Sequence, residues 1–276
     1  MLENLNIHKS RALQILSFLF IFFLLWRIIL FLVPISPDGG FNIWSFAWGA
    51  SYQLIALCGA IVGFIAAKSW GGWKSMFGKA ILAFSFGLLL QSLGQIVASY
   101  YVYKIGDIPY PALDDIGFFG SVLCYIYGIW VLAKVSGIRF SRIRLSKKIQ
   151  AIAIPLIMLI LSFFIFLRGY EFDWTQKIRI FLDFGYPLGQ ALYIAIAILV
   201  YILSKKALGG IMRKPIMFII IALVAQYLCD FTFLYQATNK LYIPEGVNDF
   251  MYFISYFLMS LSLTQLGIVF NKIRNN

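Results

Sequence analysis

The sequence predicts an all-α integral membrane protein, and three observations lead to this fold class. Of its 276 residues, 62% are hydrophobic and only 12% are charged, about half the charged share of a soluble domain. Apolar runs of about 20 residues recur along the whole chain, each long enough to cross a hydrocarbon core of about 30 Å as a helix. The lysines and arginines gather in alternate loops between these runs. Any function is therefore expected within the membrane or at its edges.

The apolar runs divide into eight predicted spans. The first is too long for a signal-peptide core and is not followed by a small-residue cleavage site, so it is interpreted as a retained helix. The others are separated by short loops with glycine, proline or basic residues. In chain order the predicted spans are Ala12–Val33, Ser45–Ala67, Ala80–Tyr103, Ala112–Ala133, Ile149–Leu167, Ile178–Leu203, Pro215–Gln236 and Asn248–Phe270.

The distribution of charge orients these spans. Seventeen of the 23 lysines and arginines lie in the tails and loops of one side, and five lie in the loops of the other. Cytoplasmic loops carry the excess of basic residues, so both termini are expected in the cytoplasm and the protein in the cytoplasmic (inner) membrane. The net charge of +12 then serves topology and contact with membrane lipids, and no nucleic-acid partner is expected.

An internal repeat divides the single membrane domain into two parallel four-helix halves, residues 1–134 and 135–276. Polar residues of the third and fourth spans recur in the seventh and eighth at an offset of 134 or 135 residues. Each half starts on the cytoplasmic side, so an axis along the membrane normal is expected to relate them. The matched pairs are Gln91 with Gln226, Gln95 with Asp230, and Asp115 with Asp249.

Several polar side chains are predicted at one depth in the outer part of the membrane. Arg27, Gln95 and Asp230 each lie 15 residues from the cytoplasmic end of a span, or about 22 Å at the helical rise per residue. A charge at this depth needs a partner or water. The sequence therefore predicts an outer-leaflet pocket lined by Arg27, Gln53, Gln95, Asp183, Tyr186, Asp230 and Tyr252, with Asp115 and Asp249 at its rim.

Two structural readings compete with the pocket. The Arg–Asp and amide contacts could simply hold helices together. Asp115, Asp183 and Asp249 each begin an even-numbered span, where a carboxylate accepts backbone N–H bonds and favours the helix dipole. Glycines such as Gly59 and Gly94 are expected to allow close helix contact.

The sequence lacks the residues that several classes of enzymatic reaction require. The one histidine, His8, lies in the N-terminal tail, and no GxSxG elbow or phosphate-binding glycine loop occurs, so zinc hydrolysis, triad chemistry and nucleotide-driven pumping have no support. The three cysteines, Cys58, Cys124 and Cys229, have no metal-binding spacing, and no cofactor or metal is expected. An intramembrane lipid hydrolase that uses Asp183 and Asp230 as a pair stays open.

Three segments of the sequence resemble those of a known family. They are PYPALDDIGFFGSVLCYIYGI (109–129), LDFGYPLGQALYIAIAI (182–198) and IPEGVNDFMYFISYFLMSL (243–261). They resemble bacterial multi-span membrane sensor-type domains that often precede PAS and diguanylate cyclase (GGDEF) modules, in which a Pro-x-x-x-Asp-x-x-aromatic pattern opens a helix at the outer face. Pro111, Asp115 and Phe118 fit that spacing. No output module follows Asn276 in this sequence, so the resemblance implies signalling through a cytoplasmic or membrane partner protein.

The first functional hypothesis is therefore a non-enzymatic sensor or receptor that binds a small molecule, lipid or cation in the outer-leaflet pocket. A small secondary transporter built on the parallel repeat is the second hypothesis. The aspartate-based lipid hydrolase and a structural or assembly subunit are further alternatives.

Overall fold

The computed structural model describes residues 10–32, 42–135, 145–168, 170–207, 212–239 and 241–275. Helices account for the regular structure of these residues, as the apolar composition predicts. The α-helices are α1 (Arg11–Leu32), α2 (Ile43–Ser51), α3 (Leu54–Ser69), α4 (Met76–Ile105), α5 (Asp114–Val135), α6 (Leu145–Ser162), α7 (Lys177–Ala207), α8 (Arg213–Thr238) and α9 (Val247–Asn275). A 3₁₀ turn, Gly72–Lys74, precedes α4, and a π-helical turn, Phe163–Leu167, extends α6.

Seven helical segments in the described part of the chain are long and apolar enough to cross a membrane. This confirms the multi-span all-α class. Six of them follow single α-helices, and the seventh, Ile43–Ser69, combines α2 and α3. The predicted fifth span, Ile149–Leu167, coincides with α6 and its π-helical extension, but the apolar segment found there, Leu156–Ile165, is shorter than a crossing.

The second predicted span is interrupted in its N-terminal half. The helix breaks between α2 and α3 at Tyr52 and Gln53, where the Ile55 N–H donates to the Tyr52 carbonyl at 3.1 Å in a three-residue step. The Gln53 side chain folds back and its Nε2 donates to the Ala50 carbonyl. A side chain that competes for backbone acceptors loosens a helix locally, and here the break turns Tyr52 into the bundle, where it is fully buried.

Local signals explain where several helices begin and end. The Asn42 side chain accepts the Trp44 N–H at 2.9 Å at the start of α2, and the Ser75 hydroxyl accepts the Gly78 N–H at 2.8 Å at the start of α4. α4 ends at Gly106, whose φ of 75° needs a residue without a side chain. Asp115 caps α5 by accepting the Ala112 N–H at 2.9 Å, as the capping interpretation predicted.

The bundle is built from repeated pairings of neighbouring helices. α3 packs against α4 and α9, while α7 packs against α8 and α5, and the hairpins α4–α5 and α8–α9 complete the centre. α1 and α6 lie at the periphery. The three buried side chains of α1 recur at seven-residue intervals, Leu16, Phe23 and Leu30. One narrow stripe therefore faces the bundle, and much of the remaining surface of α1 is apolar and exposed.

Glycines set the closest helix contacts. A Cβ at Gly117 of α5 would lie 2.6 Å from the Leu90 carbonyl oxygen and 2.8 Å from the Gly94 Cα of α4. Gly59 of α3 meets Ser260 of α9 at similarly short range. Close approach at Gly59 and Gly94 is what the sequence predicts.

Candidate functional site

Asp230 lies inside the bundle, in a hydrogen-bonded group that we name the Asp230 network. Its Oδ1 accepts from Tyr252 Oη of α9 at 2.8 Å and from Gln226 Nε2 of α8 at 3.0 Å. Its Oδ2 accepts from Tyr193 Oη of α7 at 3.5 Å. It forms no ion pair with any basic side chain that the structure describes. Asp230 therefore ties three helices together through neutral donors.

The Asp230 network continues toward the first half of the chain. Ser255 Oγ donates to Gln226 Oε1 at 2.9 Å, and the adjacent Tyr256 donates from α9 to Gln91 Oε1 on α4 at 2.9 Å. Gln91 Nε2 in turn donates to Ser121 Oγ on α5 at 2.7 Å. Buried glutamines must be satisfied in this way, and their bonds connect both central hairpins.

A second group, the Asp183 cluster, lies near the N-terminal ends of α5 and α7. It contains two carboxylates that accept hydrogen bonds from tyrosines. Asp183 accepts from Tyr110 at 2.8 Å and from Tyr170 at 2.7 Å, and Asp115 accepts from Tyr186 at 2.8 Å. Its members are Tyr110, Asp115, Tyr170, Arg179, Asp183 and Tyr186.

Arg179 provides the cation of the Asp183 cluster. Its Nε lies 3.9 Å from Asp183 Oδ2, one turn away on α7, and its guanidinium lies over the Tyr110 ring at 5.9 Å. Burial first, and then the hydrogen bond to Asp183, raise the pKa of Tyr110 well above its ordinary value. The same two causes raise the pKa of Tyr170 to about 12. Both hydroxyls thus stay protonated at neutral pH and act as donors to Asp183.

A third group, the Asp249 cluster, consists of Arg27, Tyr52, Tyr242, Glu245 and Asp249. It lies near the C-terminal end of α1, the break after α2 and the N-terminal end of α9. Asp249 Oδ2 accepts the Glu245 N–H at 2.5 Å. The Tyr242 hydroxyl approaches Asp249 Oδ1 at 3.3 Å. Glu245 adopts the left-handed backbone conformation, with φ 57°, which favours glycine and is uncommon for a glutamate.

The charges in the Asp249 cluster are incompletely paired. Arg27 lies 5.3 Å from the centre of the Trp48 ring, near Glu245 and Asp249, but it forms no ion pair within the described residues. Burial first, and then the Asp249 charge, raise the pKa of Glu245 to about 7, while Arg27 opposes the shift. The Tyr52 hydroxyl lies beside Asp249, in poorer hydrogen-bond geometry than the Tyr186–Asp115 pair.

Gln53 and Gln95, the two glutamines predicted to line the pocket, belong to none of these three groups. Gln53 faces a shallow groove of about 360 Å³ between α2 and α4, lined also by Phe46, Ala50, Ile96, Ser99, Tyr100 and Tyr103. Its Oε1 has no hydrogen-bond partner among the described residues. Gln95 is half-buried on α4 and makes no side-chain hydrogen bond within the described ranges.

The structure thus distributes the predicted pocket residues among separate places. Asp230 and Tyr252 lie together, and Tyr186 joins Asp115 and Asp183. Arg27 lies near Asp249 and Glu245, whereas Asp230 was the partner expected from depth. Asp183 and Asp230, the pair of the hydrolase hypothesis, share no hydrogen-bond partner in the described part of the chain.

The sequence reasoning missed the tyrosines that hold the carboxylates. They are Tyr52, Tyr110, Tyr170, Tyr193 and Tyr242. One signal was available, because Tyr52 stands 134 residues before Tyr186, the offset that relates Asp115 to Asp249. Tyr186 bonds to Asp115, and Tyr52 lies beside Asp249. The same offset relates Ser121 to Ser255, the partners of the two buried glutamines.

Metal coordination finds little support. No group of three or more histidine, cysteine, aspartate or glutamate side chains that could hold a metal ion occurs among the described residues. Cys58, Cys124 and Cys229 are free thiols.

Comparison with protein-family models, with curated proteins and with solved structures gives no match to this chain.

Proposed function

We propose that this chain is a multi-span membrane sensor of the receptor type, in which a small molecule, lipid or cation acts on the Asp230 network. The observation that carries the proposal is a carboxyl inside the bundle that accepts hydrogen bonds from α7, α8 and α9 and pairs with no described basic side chain. Intramembrane carboxyls without a partner are costly, and they commonly mark ligand, ion or proton sites.

The mechanism follows from the way that Asp230 holds these helices. An ionised carboxylate accepts from Tyr193, Gln226 and Tyr252, while protonation or a cationic or hydroxyl group beside it changes which of these bonds are made. Any ligand that favours one bonding pattern shifts the population between two packings of α7, α8 and α9. The Ser255–Gln226 and Tyr256–Gln91 bonds extend this change to α4 and α5.

The proposed topology has eight spans in two parallel halves, with both termini in the cytoplasm and the protein in the inner membrane. The alternation of basic loops supports it, with α6 as the additional span. In this orientation the Asp183 and Asp249 clusters face the outside and the basic loops face a cytoplasmic or membrane partner. The resemblance to sensor domains found before PAS and GGDEF modules belongs to this proposal.

Native mass spectrometry of the purified protein tests the assignment of Asp230. The variant Asp230→Asn keeps the size of the side chain but removes the carboxylate, and Asp173→Asn, in the exposed outer loop, is the matched control. We expect a bound small molecule or lipid on the unmodified protein and on Asp173→Asn, and its loss from Asp230→Asn. Identical spectra for three folded proteins would refute the proposal and favour a structural role.

A secondary transporter is the second candidate, because the central hairpins make equivalent bonds at positions 134 or 135 residues apart. Gln91 pairs with Ser121, and Gln226 pairs with Ser255. Parallel repeats with sites between them occur in transporters. Solute counterflow in liposomes that is lost in Asp230→Asn and kept in Asp173→Asn would favour this candidate over the sensor.

A further inference from the structure

The groove between α2 and α4, which we name the α2–α4 groove, extends along both helices. At one end the rings of Phe46 and Tyr103 lie 5.8 Å apart. At the other end the Gln53 carbonyl accepts from Ser92 Oγ at 3.4 Å, beside the break between α2 and α3. The groove has a volume of about 360 Å³, within the range of roughly 300–1,000 Å³ that is usual for small-molecule sites.

The Gln53 amide lines this groove with one of its two polar atoms unused. The residue is 4% exposed, its Nε2 donates to the Ala50 carbonyl, and its Oε1 has no hydrogen-bond partner within the described residues. Because the Ala50 carbonyl needs a donor, the amide cannot exchange its two ends without losing that bond. A buried acceptor without a partner is unfavourable, so Oε1 calls for a donor from outside the chain.

The surroundings of the groove limit what can supply this donor. α2 and α4 belong to segments that are long and apolar enough to cross a membrane, and Ile96 and Tyr100 of the groove are 48% and 58% exposed. Lipid tails offer no hydrogen-bond donor. None of the residues that line the groove is charged, and an ionised group without a partner is costly to bury. The occupant is therefore a neutral amphiphile that carries a hydroxyl group.

We propose that the α2–α4 groove binds the glycerol head of a neutral single-chain lipid, a monoacylglycerol. One glycerol hydroxyl donates to Gln53 Oε1, and a second bonds with the hydroxyl of Ser99, which also lines the groove. The acyl chain lies along α4 over Ile96 and Leu93, which are 48% and 47% exposed. A small hydroxyl suits an acceptor as enclosed as Gln53 Oε1. The bound lipid would hold α4 against α2 at the helix break.

Titration of the purified protein in detergent micelles with 1-monooleoylglycerol, followed by native mass spectrometry, tests this proposal. Methyl oleate, which has the same acyl chain and no hydroxyl, is the matched ligand. We expect saturable binding of one monooleoylglycerol, and binding about tenfold weaker for methyl oleate or after Gln53→Leu, as the loss of one hydrogen bond predicts. Ser99→Leu fills the groove and should abolish binding. Ser69→Leu, the same change at an exposed position of α3, should retain the affinity.

The other outcomes overturn the inference. Absence of saturable binding would assign the Gln53 oxygen to water, and equal affinity for the two ligands would show that the hydroxyl is not recognised. Equal binding by the unmodified protein and Ser99→Leu would place the lipid outside the groove. Ser99→Leu keeps the test decisive if Gln53→Leu does not fold. Asp230→Asn should still bind monooleoylglycerol, so failure here leaves the proposal for Asp230 standing, and loss of this lipid from Asp230→Asn would assign it to the Asp230 network instead.

Discussion

The Asp183 and Asp249 clusters lie at the same end of two corresponding helix pairs, yet they differ in how their charges are satisfied. In the Asp183 cluster the second acid stands on α7, accepts from two tyrosines and lies 3.9 Å from Arg179. In the Asp249 cluster the position 134 residues earlier is Gly49, and the second acid, Glu245, reaches over it from a loop.

The difference shows that corresponding helix ends support two arrangements of charged side chains. The aspartate caps, Asp115 and Asp249, and their tyrosines occupy corresponding places in both clusters. Where the second carboxylate comes from a loop with a left-handed residue, Arg27 forms no ion pair among the described residues and contacts the Trp48 ring instead. The tyrosine–carboxylate bonds of the Asp183 cluster, at 2.7 to 2.8 Å, are therefore shorter than the 3.3 Å contact of Tyr242 in the Asp249 cluster.

The largest expected effect concerns the packing beneath the clusters. Gly117→Leu would place a side chain against the backbone of Leu90 and Gly94, which cannot move aside as a side chain would. We expect a loss of at least about 3 kcal/mol in the free energy of unfolding, measured by denaturant titration in detergent micelles. The corresponding residue of the other hairpin is Met251, and Met251→Leu should cost less than about 1.5 kcal/mol. Similar losses for both would show that the two hairpins pack equally closely.

The next effect separates the two tyrosines. Tyr186→Phe removes a 2.8 Å bond to a carboxylate and should lower the free energy of unfolding by about 2 kcal/mol. Tyr52→Phe removes a hydroxyl that lies beside Asp249 in poorer hydrogen-bond geometry and should lower the free energy of unfolding by less than about 1 kcal/mol. The measurement is again denaturant titration, with both variants under identical conditions. A loss for Tyr52→Phe as large as that for Tyr186→Phe would indicate a hydrogen bond from Tyr52 to Asp249.

A smaller effect tests where the two halves are alike. Ser121→Ala and Ser255→Ala each remove the partner of a buried glutamine, at 2.7 and 2.9 Å. We expect both to lower the free energy of unfolding by about 1 kcal/mol, within roughly 0.5 kcal/mol of each other. Denaturant titration checks the equality. A clear difference would mean that the two equivalent hydrogen bonds contribute unequally to the free energy of unfolding.

The smallest expected effect is a pH dependence of stability that arises from Glu245 in the Asp249 cluster. The pKa of Glu245 is about 7 in the folded protein, above the ordinary 4.5, so its contribution to stability is fully present below pH 4.5 and is lost as the pH rises through 7. Solvent screening of the partly exposed side chain limits the change to about 1 kcal/mol or less. As the pH rises from 5 to 8, the melting temperature should therefore fall less steeply for Glu245→Gln than for the unmodified protein.

Glu171→Gln, in the loop before α7, is the control for this pH profile. It should keep the slope of the unmodified protein. An unchanged slope for Glu245→Gln would place the titrating group elsewhere.

Much of the fold was predictable because the membrane imposes simple rules. Seven of the eight predicted spans match long apolar helical segments, and Asp115 caps α5 as expected. The break at Tyr52 and Gln53 was not predicted, because the apolar run continues through it and only the geometry of the Gln53 side chain reveals the interruption.

The candidate site was predictable in its residue types and less so in its partnerships. Depth along a helix placed Arg27 and Asp230 in one layer, but depth contains no information about the direction in which a side chain leaves the helix. The structure orients Arg27 toward Trp48 and the α8–α9 loop, and it orients Asp230 toward α7 and α9. Tyr110, Tyr170 and Tyr242 lie in loops with no periodic pattern.

The sequence by itself determined the all-α membrane class, the position of the long helices and the repeat that marks Gln91, Asp115, Gln226 and Asp249, because hydropathy, capping and spacing are local properties of the chain. Only the tertiary structure decided which carboxylate meets which tyrosine, and therefore that Asp183 pairs with Arg179 while Arg27 forms no ion pair among the described residues. The physical reason is that hydrogen bonds of about 3 Å depend on helix rotation and close packing, which arise when all the helices are assembled.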